Sequence, residues 1–540
     1  MFKNIQLTES QTIYTAWALI GLCFVAMLIN LGAHHMFVHT DEPRRAVVAL
    51  EMIFSGNYIV PSLNGEPYLN KPPLLNWLTV SSYQLLNSFS EFAHRLPTII
   101  TLLAMSLVIF FANRAALNTT TALLVVLAVL TNGRVLFLDS FIGMIDVPFA
   151  LLVYTMFMAV YFLGEANRYR VLFLTTYLLT ALAFLTKALP ALVFCGFTLL
   201  TYFIFFDNWR RLFSLNHILG ILLLVAILAG YYGLYLQTSG LDLTTLLQTI
   251  FHESAKRTVI RFGVLETLTH LVSFPFDTLA NFAPWSFLAI LLVNGHIRRN
   301  LWGNRFIRYN LLVLVANLLV YWSSPEVHPR YLLMHAPLFY TIAVSALLLA
   351  VENQPKWAKG MMFFLLGLTG LFVVALYYAS FHIANQPQFP TDSPLGPLFW
   401  ALLATTVYVL MLRVNSHPTK LLALAAILVI ARFDYSIYML PVRAYTQEPY
   451  RQQALQIADK TRDMPLYLYG SNSVQDGTTY YIERERGEIL RRHKPNANDS
   501  PAYYLVSEGL LKQKRLQPLG QLSTLFHPDL FLVILPVAGP

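Results

Sequence analysis

Long apolar runs separated by short polar connections dominate the hydrophobic pattern of this chain. Runs of about twenty residues recur from Ile13 to Tyr438, and that is the length an α-helix needs to cross the hydrocarbon core of a bilayer. The strands of a membrane barrel would instead show short segments of alternating polarity. The pattern therefore predicts an all-α polytopic membrane protein with about thirteen transmembrane helices.

Two long polar connections and the C-terminal tail interrupt this pattern. The connections cover residues 34–91 and 237–280, and in the tail, 443–540, the composition changes to that of a soluble domain. Within the tail, short apolar runs predict three buried strands, at 466–469, 503–506 and 530–535, and helices near 450–461 and 507–513. We therefore predict a transmembrane domain over 1–442 and a small α/β domain over 443–540.

Composition and charge agree with a membrane protein and predict its orientation. Hydrophobic residues make up 56% of the 540 residues and charged residues only 12%. The lysines and arginines collect in alternate connections, which predicts that these face the cytoplasm together with the N-terminus. Both long connections and the tail are then extracytoplasmic. The net charge of +9 is explained by this orientation, so no nucleic-acid partner is predicted.

The first long connection begins with a pair of carboxylates directly after an apolar run. Asp41 and Glu42 precede Pro43, and the segment from Arg44 to Phe54 has helical spacing. An aspartate at this place caps a helix N-terminus, and it is also a candidate catalytic acid or base. Both interpretations stay open, because a capped carboxylate is also a positioned one.

The same connection ends in Lys71-Pro72-Pro73. The prolines restrict the backbone around the lysine, so Lys71 is held near the level of the lipid headgroups, where it is able to pair with a phosphate. An ordinary lysine that extends its ammonium to the membrane surface is an equally good interpretation. Tyr68 lies three residues earlier and is a further candidate for the same cavity.

Two ionisable residues lie at the ends of apolar runs further along the chain. Asp146 precedes Val147-Pro148, and Lys187 falls between two runs that leave almost no connection. A carboxylate at membrane depth is costly and points to a functional site. For Lys187 an interfacial anchor is the alternative.

Two compact polar segments complete the candidates. One contains His252, Glu253 and Arg257, and is either a solvated charged face or part of an anion site. The other runs from Glu326 through His328 to Arg330 and Tyr331, and in it Arg330 is suited to a bidentate contact with phosphate. No histidine follows His252-Glu253 at the spacing of a zinc motif, so no metal site is predicted.

These motifs in this order resemble those of the GT-C membrane glycosyltransferases. The resemblance rests on the acidic pair after the first span, Lys-Pro-Pro, Asp146 before Val-Pro, Leu185-Thr186-Lys187, Pro284-Trp285 and Pro329-Arg330-Tyr331. It points to the transferases that add aminoarabinose to lipid A and, more distantly, to the protein O-mannosyltransferases. It covers residues 1–350 best.

The resemblance implies an enzyme of the bacterial inner membrane that takes a sugar from a polyprenyl-phosphate carrier and requires no cofactor. It implies Asp41 as the base or acceptor-positioning group, with Glu42 and Asp146 as further carboxylates of the catalytic cavity. The residues expected to bind the donor phosphate are Lys71, Arg44, Arg257, Arg330 and Tyr331. Tyr68, Lys187, His252, Glu253, Glu326 and His328 are further candidates for the cavity.

The acceptor and the alternatives to this function stay open. A lipid A-like glycolipid is the first candidate for the acceptor, and another envelope glycan or a protein hydroxyl are the others. A transporter or flippase of a lipid-linked sugar would show ionisable residues along a path through the membrane midplane, whereas here they gather towards one face. In a non-catalytic membrane scaffold, Asp41, Lys71 and Asp146 would be replaceable.

Overall fold

The computed structural model describes most of the chain. The described residues are 7–37, 41–255, 264–324, 326–385, 395–472, 474–496, 499–525 and 528–535. The side chains of 250–255 and of Ala384 are not among the features described.

Helices account for most of the described residues. In the first half of the chain they are α1 (Glu9–Leu28), α2 (Asp41–Ser55), α3 (Leu74–Leu86), α4 (Glu91–Ala116), α5 (Thr119–Leu130), α6 (Asp146–Glu165), α7 (Tyr169–Lys187), α8 (Pro190–Phe205) and α9 (Leu215–Ser239). In the second half they are α10 (Leu243–Ala255), α11 (Val264–Asn281), α12 (Gly295–Gly303), α13 (Arg305–Trp322), α14 (Ala336–Asn353), α15 (Pro355–Ala384), α16 (Leu395–Arg413), α17 (His417–Asp434), α18 (Leu440–Lys460), α19 (Asp476–Arg486) and α20 (Glu508–Lys514). Short 3-10 or π turns lie at Val135–Asp139, Trp209–Phe213, Trp285–Val293, Pro329–Leu332 and Tyr435–Met439.

Nine helical stretches in the described part of the chain are long and apolar enough to cross a membrane. Two shorter apolar helices, α5 and α8, fall below that length. The prediction of a multi-pass helical membrane protein is confirmed, and the count of about thirteen spans stays a prediction. One predicted span, near 281–296, is instead a 3-10 segment, Trp285–Val293.

The strands form one hairpin and one small sheet. The hairpin pairs β1 (Ser62–Leu63) with β2 (Glu66–Pro67). The sheet contains β3 (Leu466–Tyr469), β4 (Arg492–His493), β5 (Ala502–Ser507), β6 (Gly520–Leu522) and β7 (Leu530–Leu535) in the order β4-β3-β5-β7-β6. β3 runs parallel to β4 and β5, and β7 runs antiparallel to β5 and β6. The three strands that apolar runs predicted are therefore present.

The described chain forms two compact units. The first contains residues 1–30, 98–229 and 250–439, and the second contains 31–97, 230–249 and 440–540. The second unit thus joins the first long connection to the C-terminal tail. These units cut across the boundary expected at residue 442, which stays a prediction.

The helix that follows Asp41 forms where its spacing predicts, for local reasons. Asp41 and Glu42 lie in its first turn, where negative charge is favourable against the helix dipole. The helix ends at Ser55, and Gly56 follows with a φ of +68°, a backbone conformation that favours glycine. The apolar positions of α2 pack in the core of the second unit, against residues of α3, α19 and the sheet.

Candidate active site

Asp41 lies at the first residue of α2 and keeps partial access to solvent. Its side chain is 37% exposed, and the Arg44 guanidinium lies 3.9 Å from its Oδ1. Arg44 also donates from Nε to Oδ2 of Asp476, the first residue of α19, at 2.9 Å. The two predicted residues thus lie together, and Arg44 ties the start of α2 to a helix of the C-terminal tail.

Glu42 lies one residue further and has the opposite environment. Its carboxylate and the Arg95 guanidinium are both completely buried. Arg95 donates from Nε to Oε1 of Glu42 at 2.7 Å and from a second nitrogen to Oε2 at 3.1 Å. A further nitrogen of Arg95 donates to the carbonyl oxygens of Leu31 and His34, at 2.9 and 2.8 Å. This arrangement favours a structural role for Glu42, and the catalytic role expected from the sequence stays a prediction.

His34 belongs to the same buried group. Its Nδ1 lies 3.1 Å from the carbonyl oxygen of His35. Burial, with a further contribution from the nearby positive charge of Arg95, lowers the pKa of His34 to about 3. The imidazole is therefore neutral at physiological pH, and its Nδ1–H donates to the carbonyl of His35.

Lys71 and Tyr68 lie between the hairpin and α3. Lys71 is partly buried in the bend before Pro72-Pro73. Tyr68 is buried, and the Arg45 guanidinium lies 5.4 Å from the centre of its ring. Tyr68 therefore packs in the second unit under a cation, in a favourable cation–π arrangement.

The first unit brings four of the predicted residues together around Asp146. Asp146 is the first residue of α6 and is buried, and the Lys187 ammonium at the end of α7 pairs with its Oδ1 in a very short contact. Arg330 Nε lies 3.4 Å from Oδ2 of the same carboxylate. The Lys187 ammonium also lies 4.2 Å from the centre of the Tyr331 ring. One buried carboxylate is therefore shared by two cations beside an aromatic face.

A second acid–base pair lies near this cluster in the chain. Arg134 contacts Asp139 with Nε 3.0 Å from Oδ2 and a second nitrogen 3.1 Å from Oδ1. Asp139 is close enough to Asp146 and Arg330 to interact with both electrostatically. The five groups Arg134, Asp139, Asp146, Lys187 and Arg330 include three cations and two acids, so their formal sum is positive.

The remaining predicted residues lie at the edge of this cluster or outside the described features. His328 is exposed, with its ring 5.4 Å from that of Tyr331, and Glu326 is partly buried in the same segment. His252 and Glu253 belong to α10, but their side chains are not described. Arg257 lies outside the described residues. Their roles stay predictions.

Sequence reasoning missed Arg95, which is the partner of Glu42, and Asp476, which is the partner of Arg44. A charged residue inside an apolar run is itself a signal, because such a charge is costly unless it is paired. That rule singled out Asp146 and applies equally to Arg95. Nothing local marks Asp476, because the sequence pattern around it did not predict the helix that it begins.

Comparison with known proteins agrees with this fold. The family model described as dolichyl-phosphate-mannose-protein mannosyltransferase matches residues 70–232. The undecaprenyl phosphate-alpha-4-amino-4-deoxy-L-arabinose arabinosyl transferase of Edwardsiella ictaluri is 26% identical over 415 residues, which cover 73% of this chain and 71% of the relative. The transferase of that name from Shewanella sediminis is 27% identical over 63% of this chain and 61% of its own length.

The crystal structure of ArnT from Cupriavidus metallidurans bound to undecaprenyl phosphate superimposes with a TM-score of 0.69 over 99% of this chain and 100% of that protein, at 18% identity. Its apo state gives a TM-score of 0.66. At this identity the likeness establishes the fold.

The chain therefore resembles, in both sequence and fold, the GT-C glycosyltransferases that use polyprenyl-phosphate sugars. Within that class, the transferases it matches over most of its length carry aminoarabinose in their names. The prediction of a membrane glycosyltransferase that resembles the lipid A aminoarabinose transferase is confirmed.

Proposed function

We propose that this protein transfers a sugar from a polyprenyl-phosphate carrier to a lipid A-like glycolipid at the outer face of the bacterial inner membrane. The observation that carries the proposal is the whole-length likeness in fold to a transferase bound to undecaprenyl phosphate, joined to sequence similarity with arabinosyl transferases over 73% of the chain. In this proposal the N-terminus is cytoplasmic, and residues 34–91, 237–280 and 443–540 are extracytoplasmic. The full set of spans is about thirteen.

In the proposed reaction, an acceptor oxygen forms a bond to the anomeric carbon while the bond from that carbon to the phosphate oxygen breaks. The sugar gains positive charge in the transition state, and the departing polyprenyl phosphate gains negative charge. Cations placed at the phosphate stabilise this state more than the ground state, and that difference accelerates the reaction. No metal or other cofactor is part of the proposal.

We assign the binding of the donor phosphate to the two cations of the Asp146 cluster, Lys187 and Arg330. For Lys71 the role in phosphate binding predicted from the sequence is kept. The support is chemical, because a guanidinium and an ammonium that share one carboxylate beside the Tyr331 ring suit a phosphate. Asp146 holds the two cations in position. For Arg44, Arg257 and Tyr331 the phosphate-binding roles predicted from the sequence are kept.

We assign to Asp41 the task of orienting the acceptor group and, where needed, of accepting its proton. Its partial exposure leaves the carboxylate accessible, while α2 and Arg44 orient it. If the acceptor group is a hydroxyl, Asp41 accepts its proton as a general base. If the acceptor group is a phosphate, which is already a nucleophile, Asp41 only orients it.

A protein hydroxyl is the second candidate acceptor. It is favoured by the match of residues 70–232 to a family named for protein mannosyltransferases. That match covers the end of the first connection and several spans, whereas the matches to arabinosyl transferases cover most of the chain. The glycolipid is therefore the acceptor we propose first.

The test is turnover by the purified protein with radiolabelled polyprenyl-phosphate sugars, an envelope lipid extract and a mixture of envelope proteins. We expect label to move to an extractable glycolipid with the wild type and not with Asp41→Asn. Label in protein would support the second acceptor. Absence of transfer from every donor, by protein that still binds undecaprenyl phosphate, would contradict the proposed function.

A further inference from the structure

Two buried glutamates from distant parts of the chain meet in the second unit. Glu51 lies on α2 and Glu483 on α19, and both are completely buried. Their carboxyl groups are close enough to interact with each other, both by charge and by hydrogen bonding. Two ionised carboxylates in such contact would repel strongly in a buried environment, so the pair must hold a proton.

Hydrogen bonds around Glu51 show that it is the ionised member. Its carboxylate accepts from the Ser62 hydroxyl at 2.5 Å, from the Asn64 backbone N–H at 2.5 Å and from the Gly65 backbone N–H at 3.1 Å. Burial raises the pKa of Glu51, but these three hydrogen bonds oppose that effect because they stabilise the charged form. These bonds attach α2 to the turn of the β1–β2 hairpin.

Glu483 is the member that carries the proton. Its Oε1 accepts from the Leu490 backbone N–H at 3.0 Å. Among the described residues no N–H or hydroxyl donates to its buried Oε2, whereas a protonated carboxyl group is itself a donor. Burial, and then the charge of Glu51, raise the pKa of Glu483 well above the ordinary value of a glutamate.

Further hydrogen bonds hold the hairpin turn to the C-terminal tail. The Asn64 side chain donates to the carbonyl of Leu490 at 3.3 Å, and the Arg492 backbone N–H donates to the carbonyl of Asn64 at 3.2 Å. Asn64 and Gly65 have φ values of +55° and +75°. The turn is thus held on two sides, and Lys71 follows it by six residues.

We propose that Glu51 and Glu483 share one proton and are positioning residues for sugar transfer, because they hold the Ser62–Gly65 turn and, through it, the segment that carries Lys71. This inference rests on the proposed function. Neither glutamate is expected to touch the substrate.

The charged groups that face the pair determine what a change in pH does to it. Arg491 is the cation that interacts with Glu483, and its side chain also packs against Gly65. Arg492 pairs with Glu66 of the hairpin at 3.7 Å. When Glu483 loses its proton, two carboxylates face each other with Arg491 as the opposing charge, so the turn loosens.

The first variant to test is Glu483→Gln. A glutamine amide donates permanently to Glu51, and its oxygen still accepts from the Leu490 N–H. We expect kcat within about twofold of the wild type at neutral pH, and an alkaline decline in kcat that is absent or moved to higher pH. Glu485→Gln, on the same helix but exposed in a pair with Arg462, is the matched control and should keep the wild-type profile.

Glu51→Gln should behave differently, because its NH2 group would face one of the three donors that the carboxylate accepts. We expect kcat to fall by about tenfold or more at every pH. If kcat declined at alkaline pH in the same way in Glu483→Gln and in the wild type, the positioning role would be overturned. Glu51→Gln with full activity would overturn it too.

Thermal unfolding in detergent tests the shared proton without any assay of transfer. A carboxyl with a raised pKa in the folded state holds its proton more tightly than in the unfolded state, so stability falls as the pH rises towards the folded value. We expect Glu483→Gln to show a shallower fall in unfolding temperature with pH than the wild type and Glu485→Gln. Equal slopes would overturn the inference even if the wild type proves inactive as a transferase.

Discussion

Two buried carboxylates, one in each compact unit, differ in the number of cations that pair with them and in how closely those cations bind. Glu42 accepts two parallel hydrogen bonds from Arg95. A further nitrogen of Arg95 donates to two backbone carbonyls. Asp146 is instead shared by Lys187 and Arg330, and the 3.4 Å separation from Arg330 is longer than a charge-assisted hydrogen bond of about 2.7–2.9 Å.

The difference separates an ion pair that stabilises the fold from one suited to binding an anion. The charged groups of Glu42 and Arg95 bind each other and nearby backbone carbonyls, so this buried pair is not suited to binding a substrate. The Asp146 cluster keeps two cations around one acid, and that charge suits a phosphate. From its position in the sequence, Glu42 would have been expected to act at the site, because it is adjacent to the candidate catalytic Asp41.

The largest expected effect is on folding, from Glu42→Gln. Removing one partner of a buried ion pair leaves an uncompensated charge and destabilises a protein by about 3–5 kcal/mol. We expect the unfolding temperature in detergent to fall sharply. Asp41→Asn, one residue away, is the control and should unfold like the wild type while it loses sugar transfer. A Glu42→Gln protein of normal stability but without activity would make Glu42 catalytic after all.

The next effect is on ligand binding, from Arg330→Met. If the Asp146 cluster binds the donor phosphate, loss of one charge-assisted contact should weaken the affinity for undecaprenyl phosphate by roughly tenfold, about 1.4 kcal/mol. The measurement is the rise in unfolding temperature as undecaprenyl phosphate is added. Arg305→Met, which removes an arginine paired with Glu165 in the same unit, should leave the affinity unchanged. Equal loss in both variants would argue against a phosphate site at the cluster.

A further effect is the loss of stability in acid, to which His34 contributes. Burial lowers the pKa of His34 to about 3 in the folded protein, so between that value and the unfolded value the unfolded chain binds a proton that the folded chain does not. Stability is then present above the unfolded pKa of about 6.5 and falls as the pH drops below it, by up to about 1.4 kcal/mol per pH unit.

The measurement for His34 is the unfolding temperature between neutral pH and about pH 5. His34→Asn should show a shallower decline than the wild type, because it lacks the titrating ring but keeps an N–H donor. His296→Asn, at an exposed histidine of the first unit, should decline like the wild type. A His34→Asn protein with the full decline would assign the acid response to other groups.

The smallest effect on stability is expected from Arg44→Met. Arg44 is about one-third exposed in its contacts with Asp41 and Asp476, and ion pairs that solvent reaches contribute about 1 kcal/mol or less. We expect a small shift in unfolding temperature, and a raised KM for the donor if Arg44 has its predicted role at the phosphate. An unchanged KM would mean that Arg44 only connects α2 to α19 through its ion pair with Asp476.

The parts of the fold that follow from local pattern were predictable. The helix after Asp41 and the strands β3, β5 and β7 each depend on residues that are neighbours in sequence. The short strands β4 and β6 were missed, because two or three residues carry no periodic signal. The helix α19 was also missed, because its buried face is largely polar and aromatic rather than aliphatic.

The amino-acid sequence was enough to predict a multi-pass helical membrane protein, and its motifs pointed to a lipid-linked-sugar glycosyltransferase. It also identified Asp146, Lys187 and Arg330 as separate candidates. The folded structure was needed to show that these three meet, that Glu42 is buried in a pair with Arg95, and that Glu51 meets Glu483. Hydrophobic pattern and turn chemistry act over a few residues, whereas the burial and pairing of a charge depend on partners distant in the chain.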